Sequence, residues 1–499
     1  MQTTVVLIVI LAYFLMVFGV SWWTTRRRDH DTETFYRGDR RSPWWVVAIA
    51  MIGTSISGVT YVSVPGMVET KQMSYLQMVF GFVAGYFVVA YVLLPLYYRL
   101  GLSSIYVYLE QRYGGVAHRT GAAFFLLSKY LGCAVRMYLT AVVLQLVLFE
   151  QLGVPFGMSV ACIMVVVWLY SFRGGVKTLV WTDLLQTLCL LAAMVGFVIC
   201  ICRAMDLDAS GLYTTITESP MSRVWFLDDA ADTRYFWKQF LGGMFTTIAM
   251  TGLDQDMMQK NLSCRSLREA QKNMVSYGFG FLPVNLIFLS LGILLYMYAR
   301  QVGVTQQGDE LFPYLATAVN PVTGQPFLPL VVSILFVLGL VAAAFSSAGS
   351  AVTALTTAVM VDFVRTAHYK SEGENVQHRA RDTRFWVHVV NSILMGGMIY
   401  AFHLLASGSV INAVYVVASY TYGPLLGLFF FGMFTRCRVA DGWWIPAVCV
   451  ASPIVCWVLD QHSAEWFGGY HIGYEMLLIN GALTALGLWL AGVLTGRKA

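Results

Sequence analysis

Apolar runs of about twenty residues, each closed by a short polar or charged stretch, repeat along this chain from end to end. A run of that length crosses the hydrocarbon of a bilayer as one helix. The pattern predicts spans at 5–22, 44–68, 76–98, 122–149, 156–172, 182–202, 236–257, 277–298, 328–363, 385–405, 410–434, 443–459 and 474–494, about thirteen in all. Two of them are poor simple helices. The second carries Gly53-Thr54-Ser55-Ile56-Ser57-Gly58 at mid-depth, and the seventh carries Gly242-Gly243, Thr246-Thr247 and Thr251-Gly252. Irregular backbone at such depth is tolerated only where protein buries it or where it lines a cavity. These two spans head two sets of five, spans two to six and seven to eleven. An odd number in each set makes the sets run through the membrane in opposite senses. Broken helices at matching positions of inverted repeats mark the binding site of a transporter. The expected fold is an all-α polytopic membrane protein of about 13 helices, a 5+5 inverted repeat with two broken helices. Its expected parts are 1–43 (first transmembrane helix and cytoplasmic loop), 44–204 (first repeat), 205–235 (extracellular loop), 236–434 (second repeat) and 435–499 (two C-terminal transmembrane helices).

Composition agrees: 58% of residues are hydrophobic and 12% charged, with mean hydropathy +0.65, where a soluble domain has about 25% charged residues. The net charge of +5 implies no nucleic-acid partner, because the placement of lysine and arginine matters more than their sum. One set of loops holds Arg26–Arg28, Arg37, Arg40, Arg41, Arg99, Arg112, Arg119, Arg173, Lys177, Lys260, Arg265, Arg268, Lys272, Arg365, Lys370, Arg379, Arg381, Arg384, Arg436, Arg438, Arg497 and Lys498. The other set keeps Lys71, Arg203, Arg223, Arg234, Lys238 and Arg300. The rich side is expected to be cytoplasmic, which puts the N-terminus outside and the C-terminus inside a plasma (inner) membrane. The first run lacks a basic leader and a small-residue cleavage site, so a retained helix is expected rather than a signal peptide. The nine cysteines are scattered without metal-ligand spacing and read as buried thiols.

The candidate chemistry centres on Ala342-Ala343-Ala344-Phe345-Ser346-Ser347-Ala348-Gly349-Ser350. Ser346 and Ser350 share one helix face, with Ser347 beside them and the Ala343 carbonyl one turn earlier. Such oxygens suit a hard cation; small residues and hydroxyls also serve close helix packing. Lys129 and Arg136, seven residues apart, fall on nearly one face of the fourth span. An intramembrane arginine is a functional hypothesis, and its favoured partner is a carboxylate gripped by the guanidinium fork; an internal pair with Asp183, Glu150 or helix carbonyls is the competing reading. Asp183 costs about 2.5–3.5 kcal/mol at the centre of a span unless it lies near the boundary as a helix cap. The histidines show no grouping with a nucleophile or metal ligands, so no enzyme is expected.

Residues 174–186, Gly-Gly-Val-Lys-Thr-Leu-Val-Trp-Thr-Asp-Leu-Leu-Gln, resemble the signature of the sodium:solute symporter family. So do 104–114 after the third helix, Asp254-Gln255-Asp256-Met257-Met258-Gln259-Lys260 after the seventh, and Tyr422-Gly423-Pro424-Leu425-Leu426-Gly427 in the eleventh. They come in family order and spacing through the thirteenth helix. The resemblance implies the inverted-repeat fold of the leucine-transporter type and import of a small organic solute (a sugar, an amino acid or a carboxylate such as a sialic acid) by alternating access. Sodium is the implied coupling ion. It implies a first sodium site from the carbonyls of Gly53, Ile56 and Ala343 with the hydroxyls of Ser346 and Ser347. A second site would use Asp183, Ser346 and Ser350, as in sialic-acid transporting members, although Gly349 stands where those have a serine. Solute-binding positions map to Ser57 and Thr60, with Gln77 on the next helix offering an amide. The carboxylate-binding arginine maps to Arg136 when counted back from Asp183, and nearer Gly132 when counted on from the second helix. The expected partners are a small solute, sodium and the lipid bilayer, with the chain working as a monomeric unit. The alternative is a membrane-embedded solute sensor or channel without sodium coupling. A sensor would be expected to carry a signalling domain, and a channel a continuous polar pore.

Overall fold

The computed structural model describes residues 2–25, 42–101, 104–172, 175–320, 323–364, 374–405 and 410–495. Several basic residues used above to orient the chain, Arg26–Arg28, Arg37, Arg40, Arg41, Arg173, Arg365, Lys370, Arg497 and Lys498, lie outside them, as does Gly174 of the signature. Among the described residues, nine helices are long and apolar enough to span a membrane, and two bent helix pairs pass the same test. With the shorter Phe156–Ser171 and the interrupted segment from Phe236 to Leu262, the described residues hold thirteen candidate spans.

We number them α1 (Gln2–Thr25), α2a (Trp44–Ser55) and α2b (Gly58–Gly66), α3 (Tyr75–Leu100), α4 (Gly115–Leu152), α5 (Phe156–Ser171), α6 (Gly175–Ala204), α7a (Phe236–Thr247) and α7b (Gln255–Leu262), α8 (Leu267–Val302), α9 (Leu330–Phe363), α10 (Glu374–Leu405), α11a (Val410–Thr421) and α11b (Gly423–Phe434), α12 (Trp444–Trp466) and α13 (Met476–Thr495). Large apolar side chains such as Leu15, Leu188, Ile393, Ile454 and Leu490 stay exposed on them. That is the surface a helix presents to lipid rather than water.

The packing falls into two groups. In one, α2a lies on α8 while α7a lies on α3 and α3 on α8; in the other, α4, α5, α9 and α10 pack together. Helix α6 joins them, touching both α2a and α9. Each broken helix thus packs on the second helix of the opposite repeat. The α3–α7a crossing is close because it is built on glycines. A Cβ at Gly81 would meet the Phe240 carbonyl at 2.1 Å, and one at Gly243 would meet the Met78 carbonyl at 2.2 Å. This corrects the reading of Gly242-Gly243 as part of the break: they are contact residues, where small side chains let two backbones meet. The irregular stretch of α7 lies further on, a wide turn at Ile248–Gly252 followed by non-helical Leu253 and Asp254.

Two further points depart from expectation. The eleventh span bends by 44° between α11a and α11b. Pro424 stands in the first turn of α11b, and Asn480 of α13 donates to the freed carbonyls of Ser419 and Tyr420 at 2.8 and 3.2 Å. Lys260, counted above among loop cations, is 1% exposed inside α7b. Its ammonium therefore says nothing about the orientation of the chain.

Candidate functional site

Helix α2a stops at Ser55 although Ile56 N still bonds the Ile52 carbonyl at 2.9 Å. Ile56 and Ser57 are extended (φ −80°, ψ 99° and φ −90°, ψ 176°), and α2b leaves at 62° to α2a. A helix end strips the carbonyls of its last turn of their i+4 donors, and Gly53 and Ile56 belong to that turn. Gly53 has no room for a side chain, since a Cβ would lie 2.0 Å from Thr187 Oγ1 on α6. Across from the break, α9 is regular through Ala343, Ser346, Ser347 and Ser350, all buried. The Ala343 carbonyl keeps a second lone pair after its helical bond. Ser347 lines the same cavity as Thr54, Ser55 and Ser57, and among the described residues its hydroxyl makes no hydrogen bond. Ser346 instead donates to Asp183 Oδ1 at 2.8 Å.

Asp183, Ser346 and Ser350 do come together, with Ser350 Oγ 3.0 Å from Asp183 Oδ2. Two residues join them that the sequence reading missed. Thr54 of α2a lies 3.1 Å from Asp183 Oδ2. Lys260 Nζ lies 2.7 Å from the same oxygen, 2.8 Å from Ser350 Oγ and 2.5 Å from Thr54 Oγ1. An ammonium has three N–H donors, and here all three are used. A sodium ion on those same oxygens would stand about 4 Å or less from Nζ, where like charges repel by about 4 kcal/mol at an effective dielectric of 20. The missing serine has a local cause. A Cβ at Gly349 would lie 2.2 Å from Tyr170 Oη, and that hydroxyl donates to the Phe345 carbonyl. Gly349→Ser is accordingly expected to destabilise the protein by about 1–3 kcal/mol through overpacking. The purified variant should melt earlier than the parent, and an unchanged melting curve would deny the Tyr170 contact.

A second buried cluster sits one helix away. Lys129 Nζ of α4 bonds both Asp254 oxygens at 3.1 Å and Asp256 Oδ2 at 2.8 Å. Asp254 also caps α7b, accepting from Asp256 N at 2.9 Å, and takes the Tyr422 hydroxyl at 2.7 Å. Arg136, two turns further along α4, is half-buried and lines the cavity with Ser57 and Thr60. Its Nε donates to the Gly132 carbonyl at 2.9 Å. No carboxylate among the described residues pairs with it, so of the expected internal partners the helix carbonyl is found and Asp183 and Glu150 are not. Gln77 is elsewhere. It is fully buried, donates to the Arg234 carbonyl at 2.8 Å and accepts from Phe226 N at 3.2 Å. It ties α3 to the 205–235 segment rather than facing the cavity.

The central cavity measures about 120 Å³ and a second one, on the face where 205–235 lies, about 310 Å³. Tyr75 of α3 and Tyr415 of α11a line both and join their hydroxyls at 3.0 Å. Those two rings are the partition. Tyr415→Ala is expected to raise the rate at which a charged thiol reagent, supplied from that face, modifies Cys133 of the central cavity by about tenfold. Peptide mass spectrometry of the labelled protein would read this, and an unchanged rate would show that the pair does not close the path.

The arrangement can hold a cation against one helix break and an anion against a guanidinium in one chamber. A family model described as the sodium:solute symporter family matches residues 35–442. The chain is 24% identical over 488 residues, 96% of its length and 92% of the relative's, to the sodium/sialic acid symporter NanT of Aliivibrio fischeri. It is 24% identical over 427 residues to the sodium-coupled monocarboxylate transporter 2 of Homo sapiens, covering 83% of this chain but spanning only 65% of that protein. Among solved structures, the substrate-bound outward-open state of a Na+-coupled sialic acid symporter superposes with a TM-score of 0.79 at 21% identity, over 98% of both chains. That last likeness concerns the fold.

Proposed function

We propose, for a chain that belongs to the sodium:solute symporter family and therefore moves a small solute together with sodium, that the solute is a carboxylate received by Arg136. The protein is a multi-pass membrane transporter, not an enzyme. The observation that carries the solute reading is the half-buried Arg136 guanidinium, held at the central cavity by a carbonyl of its own helix and, among the described residues, paired with no acid. Burying a charge without a partner is costly, and a cavity that keeps one is prepared for an anion. The names of two relatives, a sialic acid symporter and a monocarboxylate transporter, point to the same solute chemistry. Ser57 and Thr60, on the break and the first turn of α2b, carry hydroxyls beside the bent backbone and line the same chamber.

Sodium would be held by the carbonyls of Gly53, Ile56 and Ala343 and the hydroxyls of Ser346 and Ser347. A helix end with released carbonyls and a cavity-facing Ser347 hydroxyl fit a hard monovalent ion. Binding there ties α2 of one packing group to α9 of the other, so the ion favours the arrangement in which the two groups meet. We further propose that the 205–235 face is extracellular, that the membrane is the plasma (inner) membrane, and that each chain works as its own transport unit. The Tyr75–Tyr415 pair then closes the outer path and the two lysine–aspartate clusters close the inner one. The test is uptake into proteoliposomes under an imposed sodium gradient, with radiolabelled monocarboxylates, a sialic acid and neutral sugars offered in turn. Sodium-dependent uptake of an acid, with none of the sugars, is expected. Uptake of a neutral solute alone would overturn the carboxylate reading.

A further inference from the structure

We propose that the Lys260 ammonium is a built-in cation filling the position set out above for a second sodium, so that this chain binds one sodium ion where the Asp183 cluster would otherwise take another. The proposal rests on the reading that the first sodium lies at the α2 break, and of the oxygens at the second position only the Ser346 hydroxyl is shared with that first shell.

Three observations meet at this point. Lys260 Nζ is surrounded by a carboxylate oxygen and two hydroxyls at 2.5–2.8 Å, the number of acceptors an ammonium needs. The acceptors come from three helices: Thr54 of α2a, Asp183 of α6 and Ser350 of α9. The ammonium thus bridges both packing groups as a bound metal ion would. Next, the oxygen set is short by one. Where another serine hydroxyl would complete it, Gly349 faces the Tyr170 ring, whose hydroxyl is spent on the Phe345 carbonyl. Finally, the side chain has nowhere else to go. Lys260 is 1% exposed, and the neighbouring Asp256, 3.9 Å away, is bonded to Lys129. The carboxylate of Asp183 is therefore neutralised by a charge that the chain carries with it through every cycle. A tethered ammonium cannot be released to the far side, so it contributes the contacts of a second ion without contributing its gradient.

The count of bound sodium decides this without knowing the solute. Equilibrium binding of radioactive sodium to the purified full-length chain in lipid nanodiscs is expected to saturate at one ion per chain. In Lys260→Met the cluster loses its resident cation, and saturation is expected at two ions, with a steeper sodium isotherm. The double variant Asp183→Asn/Lys260→Met, which removes both charges, is expected to return to one. Two ions per wild-type chain would overturn the proposal, whatever the variants do. So would a folded Lys260→Met, judged by an unchanged gel-filtration profile, that still binds one. If Lys260→Met does not fold, the wild-type count alone decides. Wild-type protein binding no sodium would instead strike at the first site, and the two failures are distinct.

Discussion

Replacing Ser346 and Ser347 together by alanine is expected to raise the sodium concentration for half-maximal uptake by about 100-fold or more, or to abolish sodium dependence. A hydrogen-bond-strength contact to a charge is worth about 1.5–3 kcal/mol, and two of five oxygens are removed. The loss of about 3 kcal/mol corresponds to a factor on the order of 100. The two hydroxyls can be separated. Ser346 also donates to Asp183, so its loss disturbs the Lys260 cluster as well as the sodium shell. Among the described residues Ser347 has no such second duty, and it lines the cavity, so Ser347→Ala alone is expected to shift half-saturation about tenfold and leave the fold untouched. Sodium titrations of uptake, with sodium-dependent thermal stabilisation of the purified protein as a binding readout, measure both. An unchanged half-saturation in the double variant would remove these hydroxyls from the sodium shell.

What could be read from the chain beforehand divides along a physical line. The spans were legible because lipid demands unbroken apolar runs, and the break in α2 because glycines and hydroxyls interrupt one at mid-depth. The break in α7 was legible only in part: Gly242-Gly243 looked like a breaker but serve the crossing with α3, which depends on residues far away in sequence. The bend in α11 was hidden, since Gly423-Pro424 lies in an apolar stretch and the side chain that repairs it, Asn480, comes from α13. The site shows the same division. Ser346, Ser350 and Asp183 carry local signals, a hydroxyl pair on one helix face and a carboxylate in an apolar run. Lys260 carries none, because a lysine close to a span boundary reads as a loop cation until a carboxylate 77 residues earlier is found against it. Its one available signal was the buried Asp183 itself, a charge in a span that demands a partner. Gln77 failed the other way: an amide at the end of a span looks like a pocket residue, and only the folded 205–235 segment shows what it binds.

Arg136→Ala is expected to lower the uptake of a carboxylate solute at fixed sodium by about 100- to 4,000-fold. Removing one member of a desolvated ion pair costs about 3–5 kcal/mol because the other charge is left buried alone, and each 1.4 kcal/mol is tenfold. The geometry says why the fork matters. Nε is occupied by the Gly132 carbonyl, which holds the guanidinium plane in place and leaves its two terminal nitrogens for a carboxylate. Gly132, to which counting on from the second helix leads in place of the arginine, supports it instead through that carbonyl. Arg136→Lys keeps a charge but loses the planar fork, and is expected to fall between the parent and Arg136→Ala. Charge bookkeeping supplies an independent check. One sodium carried with one monoanion moves no net charge, so uptake should not respond to a potassium diffusion potential. The driving force is then the sodium gradient alone, about 1.4 kcal/mol per tenfold ratio, without the roughly 2.3 kcal/mol per 100 mV that a neutral solute would gain. Carboxylate uptake that survives Arg136→Ala would take the anion away from this guanidinium. Uptake accelerated by an inside-negative potential would mean either a neutral cargo or more than one sodium, and the sodium count for Lys260 tells those apart.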